Sequence, residues 1–222
     1  GAAPAPGALD EELVAGDGVV FFSERPESSG RGQAEAESGA AQELEEDTTA
    51  PGAEFCVTIQ KADSESSAGL ELDPKDRVTA VVTAVWPGPV LTWNMAHRDL
   101  EVRPNDRILS VNDASGDVQL LLNRLQQDTQ LVMLLRRPTE FRVSVAAKRS
   151  LGVTVSYAPR GTSLLVDEMG GGGLLRVWNS ANPGREVQAL DRIIEVNGIR
   201  GSPELLLREL NSSGALELVL FR

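Results

Sequence analysis

The sequence predicts a mainly β fold with short helices (α+β), built as two tandem copies of one small domain behind an extended acidic arm. Three observations carry this. The chain from Phe55 onward repeats itself at a nearly constant spacing, each copy has apolar residues at strand and then helix periodicity, and the negative charge is concentrated at one end. Of 33 acidic and 21 basic residues, the first 50 positions hold 12 and 2, which leaves 21 and 19 for the remainder.

The arm covers residues 1–53. Residues 23–53 are rich in Glu, Ser, Gly and Ala, and bury too little apolar surface to offset their ordering entropy, so disorder in isolation is expected. Gly18-Val19-Val20-Phe21-Phe22, beside Asp10-Glu11-Glu12, is the exception. It reads either as a strand or plug against the chain's own domains, or as a segment that docks on a partner.

Four blocks define the repeat. Glu54-Phe55-Cys56-Val57-Thr58-Ile59 matches Glu140-Phe141-Arg142-Val143-Ser144-Val145, and Gly69-Leu70-Glu71-Leu72 matches Gly152-Val153-Thr154-Val155. Asp106-Arg107-Ile108-Leu109-Ser110-Val111-Asn112 matches Asp191-Arg192-Ile193-Ile194-Glu195-Val196-Asn197, and the Leu120 block matches the Leu205 block. The first block alternates apolar and polar residues, as a strand with one buried face does. A Gly-containing loop and a second short strand follow. The Asp-Arg-Ile block is a strand closed by Asn112-Asp113 or Asn197-Gly198 as turn. A helix then presents Leu121, Leu122 and Leu125 on one face; its counterpart uses Leu206, Leu207 and Leu210, with Ser202 as N-cap and Pro203 in the first turn. Apolar strands 131–135 and 216–221 end the copies. The domains are expected at 54–138 and 139–222, and the short link Arg137-Pro138-Thr139 implies that they pack as one unit.

Between these blocks the copies are expected to differ. Val85 to Arg107 spans 22 positions against 15 from Val177 to Arg192, so residues 90–97 read as a short helix that is shrunken in copy two. Gly170-Gly171-Gly172-Gly173 reads as a flexible hairpin connection between strand-like runs 164–166 and 174–178. No Lys-Ser/Thr follows it, as a phosphate-binding loop requires.

Catalytic chemistry finds little to work with. His97 is the one histidine and has no Ser or Asp partner by spacing; it reads as a surface or helix-end residue. Cys56 is expected as a small buried hydrophobe in a strand, without an activating base. One His and one Cys build no ordinary zinc site, and the acidic run 43–47 lacks the spaced ligands of a calcium loop. No catalytic residue, metal or cofactor is therefore expected. Net charge of −12 argues against nucleic acid as partner. No run of about 18 apolar residues and no signal peptide with a basic start and apolar core is visible.

The ordered blocks resemble the PDZ family, most specifically 104–113 and 189–198, which are similar to its Gly-Asp-x-Ile-Leu-x-Val-Asn-Gly strand. The resemblance covers 54–222 and implies two PDZ-like, partly open β-sandwich or barrel domains. It also implies peptide binding by strand addition: a partner's C-terminal tail lies beside the second strand, and its carboxylate takes N–H bonds from the preceding loop. The implied loop residues are Ser67, Ala68, Gly69 and Leu70 in copy one, and Ser150, Leu151, Gly152 and Val153 in copy two. The helix positions facing the peptide are Val118 and Leu122, then Pro203 and Leu207. Copy two carries Lys148 and Arg149 just before its loop, where the family often has a basic residue that assists the carboxylate; copy one has Asp63 and Glu65 instead, with Lys61 further back. Neither helix begins with His, which points to tails with hydrophobic rather than Ser/Thr preference.

The function expected is a non-enzymatic scaffold that binds the tails or surfaces of other proteins. One alternative is an accessory subunit of a larger complex, peripheral to a membrane and plastid (thylakoid-associated) in location, with both grooves unused. The other is a regulatory segment of a larger protease.

Overall fold

The computed structural model describes residues 50–146, 150–212 and 214–222. The arm up to residue 49, with its Val-Val-Phe-Phe segment, and the loop residues Lys148 and Arg149 lie outside the described residues.

Copy one runs β1 (Glu54–Gln60), β2 (Leu70–Asp73), β3 (Ala80–Val85), α1 (Pro89–Ala96), β4 (Arg107–Val111), β5 (Ala114–Ser115), α2 (Val118–Gln127) and β6 (Gln130–Arg136). Copy two runs β7 (Glu140–Val145), β8 (Val153–Ser156), β9 (Leu164–Met169), α3 (Leu174–Ala181), β10 (Arg192–Val196), β11 (Ile199–Arg200), α4 (Pro203–Leu210) and β12 (Leu216–Phe221). Each forms an antiparallel sheet, ordered β1-β6-β4-β3-β2 and β7-β12-β10-β9-β8, with β5 and β11 paired to β4 and β10. Even the register breaks recur, between Ile108 and Ser110 and between Ile193 and Glu195. The mainly β, twofold-repeated PDZ-like architecture is thus present.

The alternation of the first strand sets the core. Phe55, Val57 and Ile59 are buried while the residues between them are exposed. That same alternation corrects the expectation for Cys56, which sits in β1 but on its exposed face. Leu121 and Leu125 of α2, and Leu206 of α4, complete the two cores. Asp117 caps α2 by accepting from the Gln119 N–H, and Ser202 caps α4 through Leu205.

The middle of copy two departs from the sequence reading. Residues 174–181 form α3, as long as α1, so the helix is not shrunken and the glycine run is no hairpin. The true counterpart of Val85 is Met169, since these residues pair with Leu70 and Val153 respectively. The spans between the copies' equivalent positions are then nearly equal. His97 follows α1, is exposed, and stacks on Trp93 with centroids 3.7 Å apart.

The copies meet through a small apolar patch of Val81 with Ile194, Val219 and Phe221, and through buried charge. Arg192 Nη1 lies 2.5 Å from Asp73 Oδ2, across the junction, with both side chains essentially inaccessible. Its counterpart Arg107 pairs with Asp76 at 2.5 Å and donates from Nη2 to the Leu190 carbonyl of copy two. Thr139 and Arg222 exchange backbone hydrogen bonds, tying the link to the last strand. Within each copy a second arginine repeats as well: Arg137 bonds Asp106 and covers the Phe55 ring, as Arg222 bonds Asp191 and covers Phe141. Burial pushes the Asp106 and Asp191 carboxyls above their ordinary range despite these guanidinium partners.

Candidate functional site

β2 and β8 end their sheets, so each offers backbone groups to an added strand. In copy one, the space beside β2 is a groove of about 770 Å³, lined by residues 64–68, Leu70, Leu72, Leu122, Leu125, Gln126 and Gln127. The loop before β2 forms one end and the last turn of α2 forms a wall.

The orientation of the loop amides follows from where its carbonyls go. The Ala68 carbonyl accepts from Val90 N–H at the start of α1 (3.1 Å), and the Gly69 carbonyl from Trp86 N–H (2.8 Å). Among the described residues no peptide is cis, so each N–H points opposite to its own unit's carbonyl. The N–H groups of Gly69 and Leu70 are therefore turned away from α1 and β3, towards the open edge. Copy two repeats this: the Leu151 carbonyl accepts from Leu175 N–H (3.1 Å) and the Gly152 carbonyl from Gly170 N–H (2.8 Å), which turns out the amides of Gly152 and Val153. A loop serine already sits on one amide of each pair, Ser67 Oγ on Gly69 N–H at 3.0 Å and Ser150 Oγ on Gly152 N–H at 3.1 Å.

This arrangement requires glycine against glycine. Gly69 and Gly152 have φ of +84° and +76°. A Cβ on Gly69 would meet the Trp86 carbonyl at 2.7 Å and Gly88 Cα at 3.2 Å; one on Gly152 would run into the Gly172 carbonyl and Gly173 Cα. Gly88 and Gly173 are the residues that precede α1 and α3. The glycine run 170–173 is thus the backing of the copy-two loop.

The other expected site residues divide. Leu122 is half-buried and lines the groove, and Leu207 is half-buried against the copy-two core. Val118 and Pro203, the first residues of their helices, are buried, and Val118 belongs to the core cluster. The acidic loop of copy one behaves differently from its composition. Asp63 Oδ1 accepts from Glu65 N–H, Ser66 N–H and Ser66 Oγ, so it braces its own turn, and those Ser66 hydrogen bonds hold its pKa below the ordinary carboxylate value. Lys61 was not legible as part of the site. It is 1% exposed, and its Nζ donates to the carbonyls of Ser64 (3.3 Å), Leu125 (3.0 Å) and Gln126 (2.7 Å). One buried ammonium therefore ties the loop to the end of α2, both walls of the groove at once.

Among the described residues no group of three or more His, Cys, Asp or Glu stands together to hold a metal, and no helix is long and apolar enough to cross a membrane.

Two open-edged sheets, each with a loop of outward amides and a helix beside the edge strand, give the chain two copies of a PDZ-like fold. No family model matches it, and no curated protein does. Solved structures do: it is similar to INAD PDZ45 in complex with NORPA CC-PBM, at 16% identity and a TM-score of 0.34, over 78% of this chain and 93% of that one. It is likewise similar to INAD PDZ45 in complex with NG2 peptide, at 16% identity and a TM-score of 0.33, over 82% and 93%.

Proposed function

We propose that the chain is a non-enzymatic protein-interaction scaffold of three units, 1–53, 54–138 and 139–222, whose PDZ-like domains bind hydrophobic C-terminal tails by strand addition. The observation that supports this best is the repeated anchoring of the loop carbonyls, which presents two adjacent amides at the free edge in each copy. A tail carboxylate accepts from both amides and displaces the serine hydroxyl that bonds Gly69 or Gly152. In copy one, Leu122 and Leu125 supply the apolar wall for the terminal side chain, and the buried Lys61 ammonium gives the loop end a positive field. In copy two, Lys148 and Arg149 directly precede the loop in sequence and bring it positive charge.

The test is a titration of the full chain with fluorescent peptides that end in an apolar residue, as free acids and as amides. The acids should bind at least about tenfold more tightly, because only they carry the acceptor that the amides meet. Equal affinity for acid and amide, or Leu122→Asp binding as well as wild type when Leu207→Asp is also present, would reject the groove reading.

A further inference from the structure

We propose that the copy-one groove continues into the cleft between the two domains, and that this cleft selects tails with acidic residues upstream of the terminus. The inference rests on the groove reading above and adds a subsite to it.

The groove has a direction. Its loop end is at Ser67–Leu70, where the tail carboxylate is received, and its far end is where β2 stops at Asp73 and α2 begins at Val118. Residues 74–79 lead from β2 into β3, and within them the Arg77 carbonyl accepts from Val118 N–H at 3.1 Å, so this turn lies at the start of the helix. An added strand pairs residue for residue at roughly 3.3 Å per step, so the last four tail residues use up the length of β2. The fifth and sixth residues back from the terminus then lie beside Lys75 and Arg77.

At that point the structure has a second cavity, of about 380 Å³, and both domains build it. Lys75, Asp76 and Arg77 come from copy one; Ser156, Leu165, Asp167 and Leu190 come from copy two. Its charges are unevenly satisfied. Asp76 is saturated by Arg107, Thr79 and two backbone amides, and Asp167 accepts from Ser156 Oγ at 2.9 Å. The Lys75 and Arg77 side chains have no acceptor among the described residues, so two cations face one remaining anion. The wall is also held in an unusual backbone state: Arg77 and Leu190 have φ of +64° and +73°, which side chains of their size rarely adopt. The buried Arg192–Asp73 pair fixes the last residue of β2 to copy two, keeping cleft and groove in register.

The experiment uses the full chain and two labelled octapeptides with the same free C-terminal valine. One has glutamates and the other glutamines at the fifth and sixth positions back. Wild type should bind the glutamate peptide about five- to tenfold more tightly at low salt, with the preference fading as salt rises. Lys75→Gln with Arg77→Gln should remove the preference and leave the glutamine peptide's affinity unchanged. Asp167→Asn, a change in the other domain, should enlarge the preference two- to threefold. Equal binding of the two peptides by wild type would overturn the inference alone and leave the groove reading standing. A preference that survives the Lys75/Arg77 changes overturns it too, because the selecting charge then lies outside this cleft. If neither peptide binds, the groove reading itself fails and the subsite falls with it.

Discussion

Removing the Arg192 side chain perturbs one contact that both domains share. The guanidinium is fully buried and meets Asp73 Oδ2 at 2.5 Å and Ser163 Oγ at 3.3 Å. Asp73 is 2% exposed in the native chain, and Arg192→Ala leaves it only the Lys75 N–H on its other oxygen. A buried carboxylate stripped of its countercharge costs about 3–5 kcal/mol. That is a large part of the roughly 5–15 kcal/mol that holds a typical domain together. The wild-type pair is itself poorly served, since Arg192 Nε and Nη2 find no acceptor. Replacing both partners with apolar residues, Asp73→Leu with Arg192→Met, should therefore recover most of the loss. Urea unfolding followed by far-ultraviolet circular dichroism and by tryptophan fluorescence measures both variants. Trp86 and Trp93 report copy one and Trp178 reports copy two. Wild type should unfold in one coincident transition, and Arg192→Ala should unfold earlier with the two signals separating. A loss under about 1 kcal/mol, or a double variant as unstable as the single one, would refute the reasoning.

Three further outcomes are expected. Gly152→Ala should destabilise copy two by more than about 3 kcal/mol, because its Cβ meets backbone at a positive φ; a near-native melting temperature would contradict the glycine-on-glycine contact. Lys61→Met keeps the stem but strands three carbonyls, and should cost about 2–3 kcal/mol in thermal or urea unfolding, with Lys61→Arg recovering part of it. The Asp106 and Asp191 carboxyls bind protons more tightly in the folded chain than in the unfolded one. Their contribution therefore favours folding below the ordinary carboxylate pKa and is lost as pH rises through the raised values. Asp106→Asn with Asp191→Asn should flatten that limb of the stability–pH curve, and an unchanged slope would show that burial does not dominate.

The repeat was legible because its strands and second helices carry local signals: alternation in β1 and β7, Ser202-Pro203 at the start of α4, Asn-Gly in a turn. α3 was not, for a physical reason. It has eight residues, buries only Leu175, and follows four glycines, so its short Leu-Leu-Arg-Val-Trp run reads equally as a strand leaving a hairpin link. The candidate loops were legible as residue types, but their function-bearing feature is the direction of N–H groups. That direction is set by hydrogen bonds to Val90 and Leu175, some 20 residues further along the chain. Lys61 was hidden in the same way, since two of its three acceptors lie 64 and 65 residues away.

Duplication explains the fold and also why the junction is not symmetric. Arg107 and Arg192 occupy the same place in the repeat, yet both carboxylates that receive them, Asp76 and Asp73, belong to copy one. The position equivalent to Asp73 is Ser156, and residues 157–163 contain no acidic side chain. Copy two therefore brings an arginine without a carboxylate of its own, and copy one brings two carboxylates for one arginine. Each half thus brings an unbalanced charge to the junction, and the excess has opposite sign in the two halves. Two copies of the first half placed at such a junction would bury four carboxylates against two arginines, and two of the second would bury arginines alone. Only the unlike pairing is neutral, so the sequence difference that broke the repeat's symmetry also fixes which faces meet.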